Sequence, residues 1–154
     1  MEYREDYDEE IKDLLVELQQ YLAEIDKEGY NVVGVDFREK YFQKTMEEVK
    51  TNNGKILLSQ ENGKIVGLII GIVNNEEVEQ FDFKAPKRGR ITELVVTKEY
   101  RKQHIGKQLL NAMKEYLGNI GCQKILIAVL GYNENAINFY RKNGFHMRML
   151  DMIG

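Results

Sequence analysis

The stretch LVVTKEYRKQHIGK, residues 94–107, joins the end of one apolar segment to a basic cluster and the beginning of another apolar segment. Its first three residues close a β-branched run, residues 91–96, that predicts a buried strand. The apolar positions that follow recur at four-residue steps: Ile105, Leu109, Met113 and Leu117. That spacing predicts an amphipathic helix. A strand, a short basic loop and a helix are therefore expected in succession.

The basic loop is a candidate anion site. Residues 84–107 carry eight Lys or Arg against two Glu, a local charge of +6, whereas the whole chain has 22 basic and 25 acidic residues and a net charge of −3. Backbone N–H groups at a helix start favour anions, and Gly106 would allow a phosphate to approach the backbone closely. A solvated charge run is the alternative explanation. The motifs of P-loop and Rossmann nucleotide sites are absent.

The remaining elements follow from periodicity and turn residues. Helices are predicted from the acidic first ten residues to about Lys27, over 38–50 and over 136–142. Strands are predicted over 55–59, 64–73, 125–130 and 145–150, with an Asn-Gly hairpin turn at residues 62–63 and a long loop over 74–89. The expected order is α-α-β-β-β-α-β-α-β. The predicted fold class is α/β (α+β), a mixed, mostly antiparallel central sheet flanked by helices.

Length and composition exclude several classes of protein. The chain has 154 residues, 43% hydrophobic and 31% charged, which predicts a single globular domain over residues 1–154. A pI near 5.5 argues against a general nucleic-acid binder. The longest apolar run, residues 65–73, is too short to span a membrane. A lone cysteine, Cys122, and the lack of a leader-like start predict a cytoplasmic protein. The two histidines, 42 positions apart, lack metal-ligand spacing.

Two motifs together resemble a known family. The first is Arg101-x-x-x-Ile105-Gly106 after the strand, and the second is Asn133-x-x-Ala136-x-x-Phe139-Tyr140-x-x-x-Gly144-Phe145. Both are similar to the core motifs of the GNAT superfamily of acyl-CoA-dependent N-acyltransferases. The first departs from the family pattern Q/R-x-x-G-x-G/A, because His104 stands where the first glycine is usual. Residues 1–50 resemble this family only in their pattern of predicted helices.

The resemblance implies acetyl-CoA as cosubstrate, with no metal. Backbone groups of the strand would bind the pantetheine arm and the thioester oxygen, amides of the loop would surround the pyrophosphate with added charge from Arg101 and Lys102, and Asn133 would bond the pantetheine arm. The implied cofactor-binding residues are Leu94, Val95, Val96, Arg101, Lys102, Gln103, His104, Ile105, Gly106, Lys107, Asn133 and Tyr140. For Asn133, a turn or helix cap is the alternative role.

Two residues are candidates for the chemistry. Tyr140 matches the family tyrosine that protonates the departing thiolate, and simple aromatic packing beside Phe139 is its alternative role. An amine acceptor is mostly protonated at neutral pH, so a base must take a proton before attack. Glu93 is the nearest carboxylate in sequence. Strand alternation puts it on the face opposite Leu94 and Val96 unless a bulge re-aims it, and a surface glutamate is the alternative interpretation.

The predicted activity is acetyl-CoA-dependent N-acetylation of a primary amine by direct attack on the thioester. The acidic stretch Glu76, Glu77, Glu79 and Asp82 favours a cationic acceptor, although a solvated loop tip would have the same composition. The acceptor classes that stay open are polyamines, amino acids, aminoglycoside-like drugs, peptide N-termini and lysine side chains. A homodimer is compatible with the family, whereas nucleic-acid and membrane partners are not expected. Alternatives are a non-catalytic CoA-binding regulatory module and an unrelated α/β adaptor.

Overall fold

The computed structural model describes residues 1–75 and 79–154. Its helices are α1 (Asp8–Ile25), α2 (Phe37–Thr51), α3 (Ile105–Asn119) and α4 (Glu134–Lys142), with single 3₁₀ turns at Glu5–Tyr7 and Lys98–Tyr100. Its strands are β1 (Lys55–Glu61), β2 (Lys64–Val73), β3 (Glu79–Gln80), β4 (Phe83–Lys84), β5 (Arg88–Val96) and β6 (Lys124–Ile127). No helix of the described residues combines the length and the hydropathy that crossing a bilayer requires.

Four strands form the central sheet in the order β1-β2-β5-β6. β2 is antiparallel to both β1 and β5, and β6 is parallel to β5. The β1–β2 hairpin turns through Asn62 and Gly63, whose φ angles of 51° and 77° are those of the turn that Asn-Gly favours. The predicted mixed, mostly antiparallel sheet with flanking helices is therefore confirmed. Within the predicted loop 74–89, β3 and β4 form a small separate hairpin.

The sheet is buried on both faces because helices cover both. On one face Ile69 packs with Leu110 of α3, and on the other Ile70 packs with Leu14 of α1. Gly71 of β2 allows α3 to approach closely, since a Cβ at this position would lie 2.5 Å from the sulfur of Met113. This packing holds the N-terminal end of α3 beside the C-terminal end of β5.

The prediction of a final strand over residues 145–150 is wrong. The chain after α4 has no helix or strand, and Met147, Met149 and Leu150 are exposed. An edge strand needs ladder hydrogen bonds and a face on which to bury alternate side chains. In the described structure residues 146–154 make no backbone hydrogen bonds that could form such a ladder. β6 has only four residues with which another strand could pair. The observed order therefore ends in α4, and β6 is also shorter than predicted.

Candidate active site

The strands β5 and β6 separate halfway along the sheet. They pair only from Arg88 to Ile91 of β5, against Lys124 to Ile127 of β6. Beyond that point β5 continues to Val96 with β2 on one side, while the chain after β6 leaves the sheet. The result is a cleft along the edge of β5, with α3 and α4 on one face of the sheet.

The backbone of Leu94 and Val96 faces this cleft. The N–H of Thr97 donates to the carbonyl of Val66 on β2 at 2.8 Å. Since backbone groups alternate in direction along a strand, Val95 also faces β2, and Leu94 and Val96 direct their N–H and C=O groups the other way. The carbonyl of Val96 accepts a hydrogen bond from Arg101 Nε at 2.9 Å. Amide N–H groups in such positions are the donors that an acyl oxygen needs when it gains negative charge.

The loop from β5 to α3 adopts a conformation that usually requires glycine. Lys102 and His104 have φ angles of 63° and 65°, in the left-handed region. His104 is the residue before α3 and its imidazole does not cap the helix. Its carbonyl accepts the N–H of Gln108 at 3.0 Å, so the amides of residues 105–107 have no intrahelical acceptor. These donors lie next to the exposed side chains of Arg101 and Lys102, and free amides at a helix start beside positive charge are suited to an anion.

Asn133 caps helix α4. Its Oδ1 accepts the backbone N–H of Ala136 at 3.2 Å and the hydroxyl of Tyr21, from α1, at 3.3 Å. The side chain is 8% exposed. The helix-cap role is therefore realised, and the capping bond occupies Oδ1, so Nδ2 is the group with which Asn133 would donate to a ligand.

Tyr140 lies on α4 in an aromatic cluster. It makes edge-on contacts with Phe139 and Phe145, with ring centroids 5.2 and 5.3 Å apart. Burial, and secondly the charge of Glu93, raise its pKa well above the usual range of a phenol. No hydrogen bond to its hydroxyl occurs within the described part of the chain. Tyr140 therefore remains protonated at neutral pH and has a hydroxyl proton to donate.

Glu93 is buried, contrary to the surface alternative. Ile70 lies opposite Glu93 and Gly71 opposite Ile91, so Thr92 is the extra residue of a β-bulge. The bulge puts Glu93 on the α1–α2 side with Val95, while Ile91 remains on the α3 side. The Glu93 side chain therefore lies on the face of the sheet opposite those of Leu94 and Val96, as strand alternation predicts. Burial raises the pKa of its carboxyl to about 7, although a hydrogen bond from Tyr41 acts in the opposite direction.

A groove on α2 includes Tyr41, the residue that donates to this carboxyl. It has a volume of about 480 Å³ and is bordered by the α1–α2 loop and the first half of α2. Val32, Val35 and Phe37 supply its apolar surface, and Tyr41 belongs to both the groove and the Glu93 hydrogen bond. Two of the predicted acidic residues, Glu76 and Glu77, lie outside the described residues. The other two, Glu79 and Asp82, are exposed on the β3–β4 hairpin.

Three residues of this region were not among the sequence candidates. Tyr41 shares the apolar face of its helix with Phe42, which predicts a core role only. Tyr21 meets Asn133 across 112 positions of chain, and Tyr41 meets Glu93 across 52. Lys44, one helical turn after Tyr41, contributes to the electrostatics of Glu93. No local pattern links such distant residues, so only the fold reveals these contacts.

Known proteins match both the sequence and the fold. N-alpha-acetyltransferase 60 of Xenopus tropicalis is 33% identical over 110 residues, 62% of this chain and 46% of that protein. N-alpha-acetyltransferase 30 of Schizosaccharomyces pombe is 40% identical over 58 residues, 38% of this chain and 39% of that protein. The chain thus spans less than half the length of these curated relatives.

Solved structures share the fold at low sequence identity. A tetramutant of the BH1408 protein from Bacillus halodurans superimposes with a TM-score of 0.85 at 18% identity, covering 99% of this chain and 96% of that one. AAC(6')-Iy in complex with a CoA-based bisubstrate analogue has a TM-score of 0.72 at 12% identity, covering 100% and 94%. The acetyltransferase (GNAT) family profile matches residues 7–145. That match spans most of the sequence, and the chain therefore belongs to the GNAT acetyltransferase family.

Proposed function

We propose that this protein is an acetyl-CoA-dependent N-acetyltransferase that transfers the acetyl group to a primary amine by direct attack on the thioester. The observation that carries the proposal is the position of Glu93. A buried carboxyl with a pKa near 7 lies on β5 within one residue of the backbone groups that face the cleft. A base in this pKa range is suited to taking a proton from an ammonium group at neutral pH.

Each step of the transfer has a candidate group on β5 or on α4. Glu93 takes one proton from the ammonium of the acceptor, and the amine lone pair then forms the C–N bond at the thioester carbon. The N–H of Leu94 or Val96 donates to the oxygen as it gains negative charge. The C–S bond breaks, the amide nitrogen loses its remaining extra proton to solvent, and Tyr140 donates a hydrogen bond to the departing thiolate. The raised pKa of Tyr140 favours hydrogen bonding over complete proton transfer.

The cleft also has groups suited to the rest of acetyl-CoA. The unpaired amides at the start of α3, residues 105–107, with those of Gln103 and His104, would bind the pyrophosphate, and Arg101 and Lys102 would add charge. The backbone groups of Val95 would pair with β2 and so hold this part of β5 in position for the cofactor. Asn133 Nδ2 would donate to a pantetheine carbonyl. A Cβ at Gly106 would make only an ordinary 3.5 Å contact with Phe139, which fits the glycine or alanine of the family motif.

For the acceptor we propose a cationic amine attached to an apolar group. The exposed Glu79 and Asp82 support the cationic character, and the valines and Phe37 of the α2 groove support an apolar attachment. A peptide N-terminus has both properties, and two relatives are named N-alpha-acetyltransferases. A single domain in a reducing cytoplasm is part of the same proposal. The single domain is supported by a central sheet covered on both faces, and the reducing compartment by Cys122, a free thiol in a chain with one cysteine.

The test combines binding and turnover. Thermal unfolding is followed with CoA at about 100 times its dissociation constant, where a native-state ligand adds about 2.7 kcal/mol to the free energy of unfolding. Free thiol release from acetyl-CoA is then measured with a panel of amines: peptide N-termini with apolar or acidic first residues, lysine, polyamines and aminoglycosides. We expect stabilisation and thiol release. Stabilisation without release from any amine would favour the non-catalytic CoA-binding module. The absence of both stabilisation and release would refute the proposed activity.

A further inference from the structure

The carboxyl of Glu93 is held by a side chain from another element. The hydroxyl of Tyr41, on α2, donates a hydrogen bond to Glu93 Oε1. Within the described residues no other hydrogen bond to this carboxyl occurs, so Oε2 has no partner among them. A single donor on one oxygen leaves the second oxygen available as a proton acceptor.

Tyr41 is itself fixed in place. Its ring stacks on Phe37, one helical turn earlier, with centroids 4.6 Å apart and planes 18° from parallel. Lys44 Nζ lies 5.9 Å from the centroid of the Tyr41 ring. Burial, and next the charge of Glu93, raise the pKa of the Tyr41 hydroxyl above its usual range. Tyr41 is therefore a donor throughout the pH range in which acetyl transfer would be measured.

The other charged and titratable groups around Glu93 come from two helices. On α2, Glu48 disfavours its ionised form and Lys44 favours it, and both effects are smaller than that of the Tyr41 hydrogen bond. On α4, Tyr140 interacts electrostatically with Glu93. Burial is the largest influence and opposes ionisation. Tyr41 is thus the group that most strongly favours the ionised carboxylate against the effect of burial.

We propose that Tyr41 is the positioning residue of the Glu93 base: its hydroxyl donates to Oε1, stabilises the carboxylate form through that hydrogen bond and directs Oε2 toward the ammonium of the acceptor. The inference rests on the proposed function. Because Tyr41 also borders the α2 groove, an acceptor in that groove would contact the same ring that holds the base. Binding of the acceptor and the strength of the base are then linked through one side chain.

The experiment measures the titration of Glu93 directly. Protein labelled with ¹³C at the Glu carboxyl is titrated by NMR, and the Glu93 signal is identified by its loss in Glu93→Gln. In Tyr41→Phe we expect the midpoint to rise by about one pH unit, since a hydrogen bond to a charged group has that order of strength. Tyr116→Phe is the matched control, because its hydroxyl bonds a backbone carbonyl, that of Asn53, at 2.7 Å. A midpoint that is unchanged in Tyr41→Phe would overturn the proposal.

Kinetics provide the second readout. With the best amine of the panel, the acidic limb of kcat/KM should move up by the same amount in Tyr41→Phe. If the limb moves from about 7 to about 8, the ionised fraction at pH 7 falls roughly fivefold. The rate should recover above pH 9, with the KM for acetyl-CoA unchanged. A limb that stays in place while the wild type is active would refute the inference alone, whereas a wild type inactive on every amine would refute the proposed function.

A second variant tests the same role of Tyr41 if Tyr41→Phe does not fold. If Tyr41→Phe unfolds, Tyr41 is replaced by 3-fluorotyrosine, which keeps the ring and has a more acidic hydroxyl. This stronger donor should lower the Glu93 midpoint. An unchanged or higher midpoint would contradict the role of Tyr41.

Discussion

Arg101 bends back onto the strand that precedes it, and its Nε donates to the carbonyl oxygen of Val96 at 2.9 Å. Its Nη2 lies 3.8 Å from Glu17 of α1, and Glu17 also accepts the N–H of Lys98 at 3.1 Å. One guanidinium therefore connects the end of β5, the loop between β5 and α3, and α1. The basic residue of the loop motif has a structural role as well as a charge.

Replacing Arg101 by alanine should weaken CoA binding by about tenfold or more. The change removes a positive charge from the loop between β5 and α3, and with it the charge-assisted hydrogen bond to the carbonyl of Val96, which is of a kind worth about 1.5–3 kcal/mol. Titration calorimetry with CoA checks this, and the difference from wild type should shrink at high salt. Lys98→Ala is the control, and equal losses in both variants would show that Arg101 acts only as one more positive charge.

Replacing His104 by glycine should stabilise the protein by about 0.5–1 kcal/mol. A left-handed conformation costs a residue with a Cβ about 1–2 kcal/mol, and the greater freedom of glycine in the unfolded chain offsets part of that gain. Urea unfolding measures the change. Gln103→Gly, in the same loop but without positive φ, should destabilise instead. CoA affinity should change less than threefold, and a tenfold loss would mean that the imidazole binds the anion.

Replacing Glu93 by glutamine should make the protein more stable at alkaline pH. The folded-state pKa of about 7 lies above the ordinary 4.5, so wild-type stability from this group is complete below pH 4.5 and falls as pH rises through 7. The loss approaches about 3 kcal/mol, at 1.36 kcal/mol for each pH unit between the two pKa values. Glutamine keeps an acceptor for Tyr41 and does not ionise.

Urea unfolding of Glu93→Gln and wild type at pH 4.5 and pH 8.5 tests this sign. The advantage of the variant should be larger at pH 8.5. Glu61→Gln, on the exposed end of β1, should differ from wild type equally at both values. A Glu93 variant whose difference from wild type is the same at both pH values would show that the folded carboxyl titrates normally.

Replacing Tyr140 by phenylalanine should lower kcat about tenfold or more and leave the KM for acetyl-CoA nearly unchanged. The aromatic contacts with Phe139 and Phe145 survive, and only the donor to the departing thiolate is lost. Steady-state rates over a range of acetyl-CoA concentrations give both constants. Tyr3→Phe, which loses a bond to Asp8 far from the cleft, should match wild type. Unchanged turnover in Tyr140→Phe would leave it a packing residue.

Reversing charge on the β3–β4 hairpin should raise the KM for cationic acceptors. Glu79→Lys with Asp82→Lys replaces attraction by repulsion, so a polyamine or a lysine-rich peptide should lose several-fold in kcat/KM while a neutral amine loses little. The same reversal at Glu5 and Asp6, which are also exposed, controls for net charge. Equal effects on charged and neutral acceptors would end the cationic hypothesis.

Much of the fold was predictable because its causes are local. The Asn62-Gly63 turn, the four-residue spacing of α3 and the loop from β5 to α3 each depend on neighbouring residues. The prediction of a strand over 145–150 was wrong because it used local pattern alone. Alternating apolar and polar side chains are compatible with a strand. A strand forms only where the edge of a sheet provides hydrogen-bond partners along its length.

The sequence by itself therefore determined the family motifs, the antiparallel hairpin and the presence of Glu93, Asn133 and Tyr140, since each is encoded within a few residues. The tertiary structure alone decided which of these groups meet. A bulge at Thr92 moved Glu93 and Ile91 to opposite faces of the sheet, and α2 brought Tyr41 to the carboxyl from 52 positions away. The strength of a buried acid depends on such neighbours and on the loss of water, and both arise only when distant elements pack together.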